Sequence, residues 1–239
     1  MVKLNMNLEE YAYMASHDLQ EPVRKIRTFN SMLMDKIQDT GAVEKYGQKI
    51  ERSAARMTDL IRDILDYSHL KNGQSIAETI DLDDVLEELK SDLELMIEEK
   101  DVRITAGKLG KLYGVRIQIF QLFANLVRNS IKFSVNRPEV GIDAVILRGA
   151  DIETDQRIDP QMDYKRLRFS DNGIGFDVDR SNIIFKPFKR LHSKNEYSGT
   201  GIGLAICKRI VDLHGGYIEV KSETGEGTEF LLYFPVSRE

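Results

Sequence analysis

A chain of 239 residues with a formal net charge of −5 is long enough for one or two domains with a real core. Its mixed, slightly acidic charge gives no case for wholesale binding to nucleic acid or to an anionic membrane, and the lone Cys207 excludes an intramolecular disulfide and suits a reducing compartment. No apolar run reaches the ~18–20 residues that span a bilayer, and the first ten residues read as helix rather than as a signal-peptide core, so the chain as given is expected to be soluble and cytoplasmic, alone or inside a longer protein.

Residues 3–70 hold one proline and a helical period. Leu4, Leu8, Tyr11, Ala15, Leu19, Val23, Ile26, Phe29, Leu33 and Ile37 fall on one broad face. "DTG" at 39–41 breaks the pattern, and a second stripe follows at Ile50, Ala54, Met57, Ile61, Ile64, Leu65 and Ser68. This spacing predicts an antiparallel helical hairpin. Two helices alone cover two such stripes poorly, which predicts pairing with a second copy into a four-helix dimer; a lone pair packed on the second domain is the alternative. In "MASHDLQEPVRKI" at 14–26, His17 lies roughly opposite the stripe and is expected to face water, and Pro22 removes one backbone hydrogen bond a turn later.

"KNGQSIAE" at 71–78 is polar and periodless, a linker between a domain over 1–70 and one over 79–239. "TIDL" at 79–82 reads as a short strand, and Asp83 is expected to cap a helix running to about Ile97. "VRITAGKL" is strand-like, and "RIQIFQLFANLVRNSIKFS" has the apolar spacing of a long helix. "DAVILRGADIE" and "YKRLRFSD" alternate as strands do. "TGIGLAICKRIVDLHGG" is a helix ended by Gly215 and Gly216, and "YIEVKSE" and "TEFLLYFPV" are strands around a "TGEGT" turn. The mixture lacks regular βαβ spacing and predicts an α/β sandwich, a mixed sheet with helices on one face.

Three stretches of this second domain suggest chemistry. In "NLVRNSIKF" at 125–133, Asn125, Asn129 and Lys132 share a helical face; an amide oxygen can ligate Mg²⁺ and a lysine can meet phosphate, although a solvated polar face has the same spacing. In "SDNGIGFD" at 170–177, Asp171 ends a strand beside Gly173 and Gly175; a carboxylate accepts from the exocyclic amine of adenine, and the bland alternative is a plain turn. In "GTGIGLAIC" at 199–207, Gly199, Gly201 and Gly203 lead into a helix, a phosphate-binding pattern that matches neither the Walker nor the dinucleotide fingerprint and could also be a loop with no ligand. Between the last two, "NIIFKPFKRLHSKNEYS" at 182–198 sets Phe185 and Phe188 around Pro187 among Lys186, Lys189, Arg190 and Lys194, as in a lid over phosphates or a solvated charge run with two anchors.

Taken in order, "HDLQEP", "NLVRNSIKF", "DNGIGFD", "FKPFKRLH" and "GTGIGL" resemble the core of a two-component sensor histidine kinase, and "ASHDLQEPVRKI" is similar to the phytochrome- and PAS-linked branch. The resemblance covers nearly the whole chain. It implies a dimerisation and histidine-phosphotransfer hairpin followed by an ATP-binding domain of the GHKL (Bergerat) type, with ATP and Mg²⁺ as cofactors. It implies that His17 accepts the phosphoryl group with help from Asp18, and that a response regulator receiver domain takes it onward. Asn129 would ligate the metal with support from Asn125. Lys132 and Arg190 would meet phosphates, Phe133 would line the pocket, and Asp171 would bind the adenine amine. Gly173, Gly175, Gly199, Thr200, Gly201, Gly203 and Leu204 would shape the base and phosphate loops. The sensor domain that such a core obeys is expected outside this chain.

The chain departs from the family pattern at several positions. Gln20 stands where relatives often carry Arg or Lys. Glu21 stands where many relatives place a Thr or Asn that positions water, so phosphatase activity is expected to be weak. Val115 replaces a common Asp, which predicts a lost helix cap. Asn125 stands where gyrase-like and chaperone ATPases carry a basic Glu; an amide cannot take a proton, which disfavours a free-running ATPase. A catalytically silent nucleotide-binding dimeric scaffold remains the other reading.

Overall fold

The computed structural model describes residues 2–70, 76–153, 158–177, 181–189, 191 and 199–236; the side chains of 2–17, 69, 181 and 182 lie outside that description. The described residues form two units, the N-terminal hairpin together with residues 199–202, and the remaining residues. No helix among the described residues is long and apolar enough to cross a membrane.

The hairpin consists of α1 (Val2–Asp35) and α2 (Thr40–His69). α1 continues through Pro22 without a break. The "DTG" break is a helix start: Asp39 caps α2, its carboxylate accepting from the Ala42 N–H at 3.1 Å. Phe29 and Tyr46 stack across the pair with ring centroids 6.4 Å apart, and the Lys49 ammonium lies 5.0 Å over the Phe29 ring. The seam of α2 is offset by one residue from the stripe read in the sequence. Ser53 and Leu60 are buried, whereas Ile61 is 41% and Leu65 52% exposed, and on α1 Val23 is 43% exposed. A helix touching one neighbour buries only a narrow part of a broad apolar face. Among the described residues of the two stripes, Val23, Ile37, Ile61 and Leu65 are left exposed in the single chain.

The second unit begins with β1 (Glu78–Asp81), which leads into α3 (Leu82–Asp92) and a separate turn of helix α4 (Glu94–Glu99). Contrary to the expectation from the sequence, the cap of α3 is not Asp83. Asp81 caps α3 by accepting from the Asp83 N–H at 3.1 Å. Asp83 instead accepts from the backbone N–H groups of Leu109 (2.9 Å) and Gly110 (3.2 Å), and the Leu109 bond holds its carboxyl below the ordinary carboxylate range. The buried Lys165 ammonium donates to the Leu109 carbonyl at 2.7 Å, and burial pulls its pKa down.

β2 (Arg103–Ala106) and β3 (Lys111–Gly114) follow, then the long α5 (Arg116–Lys132) and β4 (Glu139–Arg148). β5 (Asp163–Asp171), the short α6 (Ser181–Ile184), α7 (Gly203–Leu213), β6 (Tyr217–Glu223) and β7 (Gly227–Pro235) complete the unit. β1 and β3 form a small antiparallel pair, while the main sheet runs β2-β4-β5-β7-β6, mixed because β2 lies parallel to β4. α3, α5 and α7 cover one face with Leu82, Leu86, Leu89, Ile119, Leu122, Leu126, Ile206 and Ile210, all buried. They meet Leu167 and Phe169 of β5 and Phe230, Leu232 and Phe234 of β7, with Phe123 edge-on to Phe169 at 4.9 Å. "FLLYF" is apolar at consecutive positions because β7 is buried on both faces. Leu231 and Tyr233 pack on the far face with Tyr164, beside Leu147, Ile152, Ile158 and Tyr217.

Candidate functional site

The residues singled out in the second unit converge on the junction of α5 with the end of β5. β5 delivers Asp171 at its last position, opposite Thr228 of β7 and Val140 of β4. One carboxylate oxygen, Oδ1, accepts from the backbone N–H groups of Gly173 (2.9 Å) and Thr228 (3.2 Å). The other, Oδ2, accepts from the Ser130 hydroxyl at 2.9 Å. Burial pushes the Asp171 carboxyl up, and the three donors pull it back. A carboxylate oxygen can take two hydrogen bonds, so Oδ2 keeps room for one more donor.

The backbone around this carboxylate is close. Gly227 has φ +94°, and a Cβ there would stand 2.0 Å from the Asp171 carbonyl oxygen. Gly175 has φ +57°, and a Cβ there would stand 1.9 Å from the Glu223 carbonyl oxygen. Neither position has space for a side chain. Asn172 is structural: its Oδ1 accepts from the Glu139 N–H (2.9 Å) and its Nδ2 donates to the Arg137 carbonyl (3.0 Å), pinning the start of β4.

α5 carries the polar face read from its spacing. The Asn125 Nδ2 is buried without a hydrogen-bond partner, an open donor in the core-facing half of the helix. Gly203, the first residue of α7, lies beside it: a Cβ there would be 3.4 Å from Asn125 Oδ1. Asn129 lies one turn on and Leu204 follows Gly203, both half-buried. Phe133 closes α5, donating its N–H to the Asn129 carbonyl at 3.0 Å and accepting from the Ile174 N–H at 3.0 Å. The Lys132 ammonium lies 4.3 Å over the Phe133 ring. Asn125, Asn129, Lys132, Phe133, Asp171, Gly173, Gly175, Gly203 and Leu204 thus all belong to this unit.

Val115 gives α5 no side-chain cap. His214, at the far end of α7, supplies one: its Nε2 accepts from the Val115 N–H at 3.1 Å while its Nδ1 meets the Ile210 carbonyl at 2.8 Å.

The remaining predicted residues lie elsewhere. Gly199, Thr200 and Gly201 group with the hairpin, where the Thr200 hydroxyl donates to Asp63 of α2. His17 lies on the backbone of α1, but its side chain is outside the description; Asp18 beside it is half-buried. Arg190 and Lys194 fall outside the described residues, as does the rest of the lid stretch from 192 to 198. Within its described part, residues 181–184 form α6, and Phe188 has φ +63°. Reading the sequence missed Ser130 and Thr228 as partners of Asp171. Both stand inside motifs it quoted, but their spacing carries no sign of a partner 41 or 57 residues away.

Comparisons agree with this architecture. A family model described as histidine kinase-, DNA gyrase B-, and HSP90-like ATPase matches residues 114–238, and one described as His Kinase A (phospho-acceptor) domain matches residues 7–73. Cyanobacterial phytochrome A of Nostoc sp. is 35% identical over 97% of this chain and 29% of its own length. Cyanobacterial phytochrome B of Nostoc sp. is 38% identical over 95% of this chain and 29% of its own length. The chain therefore spans under a third of these relatives. Among solved structures, the Acinetobacter baumannii histidine kinase AdeS matches with a TM-score of 0.64 at 19% identity, covering 93% of this chain and 98% of that one. Histidine kinase ThkA in complex with response regulator protein TrrA matches with a TM-score of 0.71 at 20% identity, covering 98% of this chain and 63% of that one. At such identities these two show the fold alone. With both of its halves matched in order, the chain belongs to the histidine kinase family, with a phospho-acceptor hairpin followed by an ATPase-type domain.

Proposed function

We propose that this chain is an ATP-dependent protein histidine kinase core that phosphorylates its own His17 and passes the phosphoryl group to an aspartate on a response regulator receiver domain. Residues 1–70 are read as the dimerisation and phosphotransfer hairpin, 71–78 as linker and 79–239 as the ATP-binding domain. The observation that carries the reading is the caged Asp171 carboxylate beside a helix whose Asn125 holds a buried, unpartnered amide donor.

The donor set fits a purine nucleotide with its metal. Asp171 Oδ2 can accept from a 6-amino group, which a 6-oxo purine lacks. The unpartnered Asn125 amide suits a phosphate oxygen or its water shell. Asn129 is assigned as a neutral oxygen ligand, since among the described residues no cluster of His, Cys, Asp and Glu could hold a metal alone. Mg²⁺, when bound there, neutralises charge on the phosphate oxygens. Lys132 and Arg190 are assigned to the phosphates, Phe133 to the pocket wall, and the glycines with Thr200 and Leu204 to the surrounding loops.

In this mechanism Asp18 holds the proton of one His17 ring nitrogen so that the other, unprotonated nitrogen attacks the γ-phosphorus. An N–P bond forms as the bond to the β–γ bridging oxygen breaks, and ADP leaves. Asn125, an amide, cannot deprotonate a water in competition. The exposed Val23, Ile61 and Leu65 support pairing of two hairpins into a four-helix dimer. An input domain outside this chain, a cytoplasmic location and weak phosphatase activity complete the proposal.

The test is incubation with γ-labelled ATP and Mg²⁺. Label on the protein that is acid-labile, alkali-stable and absent from His17→Gln supports the reading. Free phosphate without labelled protein, or no turnover at all, overturns it in favour of an ATPase or a silent scaffold respectively.

A further inference from the structure

Ser130 stands in the last full turn of α5, 4% exposed, with its hydroxyl 2.9 Å from Asp171 Oδ2 and 3.2 Å from the Leu126 carbonyl oxygen. A hydroxyl has one hydrogen, so it serves one of these acceptors at a time. The shorter contact is to the carboxylate, and a hydrogen bond to an ionised acceptor is the stronger of the two. Asp171 Oδ1 is already occupied by two backbone N–H groups, Gly173 and Thr228. Among the described residues Ser130 is therefore the one side chain in the cage, and it acts on the oxygen that has room for a ligand.

We propose that Ser130 is a positioning and specificity residue, whose hydroxyl keeps Asp171 Oδ2 as an oriented, ionised acceptor and thereby makes the site choose a 6-amino purine over a 6-oxo purine. This rests on the reading that Asp171 receives the purine's 6-substituent. An ionised Oδ2 accepts from a 6-amino group and repels the oxygen of a 6-oxo group. A protonated Asp171 reverses this, since its O–H can donate to a 6-oxo oxygen. Burial favours the protonated form, and Ser130 is one of three donors that oppose it. The groups bonded to the carboxylate are uncharged, and its strand neighbour on β4 is Val140. Of the charged side chains nearby in sequence, Lys132 lies over the Phe133 ring, and Glu229 accepts from Arg168 at 3.2 Å.

The test measures the binding of ATP and of ITP, its 6-oxo analogue, to the full chain between about pH 5 and pH 8. Variants are Ser130→Ala, Ser130→Thr and Asp171→Asn, each checked for native circular dichroism. Ser130→Ala is expected to weaken ATP about tenfold. It should also narrow the ATP-over-ITP preference and move the acid loss of ATP binding to higher pH, because the ionised carboxylate has lost a donor. KM for ATP in autophosphorylation should rise while kcat at saturating ATP holds. Ser130→Thr, which keeps the hydroxyl, should restore the preference and the pH profile. If Ser130→Ala weakens ATP and ITP equally with an unmoved acid limb, Ser130 is only structural and the inference fails. If Asp171→Asn leaves the ATP-over-ITP preference intact, the underlying reading of Asp171 fails, and the inference with it.

Discussion

His214→Ala tests whether α5 is held in place from the opposite end of α7. The ring is bonded at both nitrogens, to the Val115 N–H at 3.1 Å and to the Ile210 carbonyl at 2.8 Å, which defines a neutral imidazole with its proton on Nδ1. The Val115 N–H is one of the four donors that a helix start leaves without intrahelical partners, and Val115 itself brings no cap. Leaving it unpaired costs about 1–3 kcal/mol. The ring also fills the space over Gly114, where a Cβ would come within 2.7 Å of it, and meets Phe234 edge-on at 6.0 Å. A total of ~2 kcal/mol lowers the melting temperature of a unit of this size by ~4–8 °C, read by calorimetry on the full chain. Amide hydrogen exchange should speed up first at residues 115–119. His214→Gln, whose amide oxygen can reach the Nε2 position, should recover about half of the loss. Equal losses in the two variants, or exchange unchanged at the start of α5, would refute the bond to Val115 as the source of the effect.

Other outcomes follow from particular contacts. Asp83→Ala strands the Leu109 and Gly110 N–H groups and should destabilise the chain by ~2 kcal/mol in denaturant titrations. Because the folded Asp83 carboxyl titrates below its ordinary 3.8, its contribution is complete above pH ~4 and lost as pH falls through the lower folded value. The variant should accordingly flatten that part of the acid-unfolding curve. Phe169→Ala removes a side chain 1% exposed in contact with Phe123 and should cost ~3–5 kcal/mol, measured by thermal melting. Glu21, whose carboxylate pairs with Lys25 at 3.2 Å, should leave a phosphorylated response regulator undisturbed; rapid ADP-stimulated loss of phosphate on mixing contradicts that reading.

What could be read in advance divides by range. The face of α5 was legible because helical spacing alone puts Asn125, Asn129 and Lys132 on one side. The strands "YKRLRFSD" and "TEFLLYFPV" were legible because alternation, or an unbroken apolar run, records which faces are buried. β3, four residues with one buried leucine, is too short to carry a period. In "DLDD" two aspartates compete for the cap, and the outcome depends on Leu109 and Gly110, beyond any local signal. The seam of α2 at Ser53 and Leu60 is set by contact with α1, which a broad stripe does not resolve. Ser130 and His214 failed to stand out for the same reason: each is defined by a partner at the other end of a fold, 41 and 99 residues away.

The position of Asp171 on β5 has a consequence for the entropy of binding. β5 is paired along its length by β4 on one edge and β7 on the other, so its backbone opens only when the sheet does. A carboxylate mounted there loses almost no freedom when a ligand arrives, whereas a glycine loop must be ordered around whatever it grips. The division assigns discrimination to the central strand of the sheet and leaves adjustment to its turns. A substitution that loosens β5 should therefore erode selectivity before it erodes overall affinity.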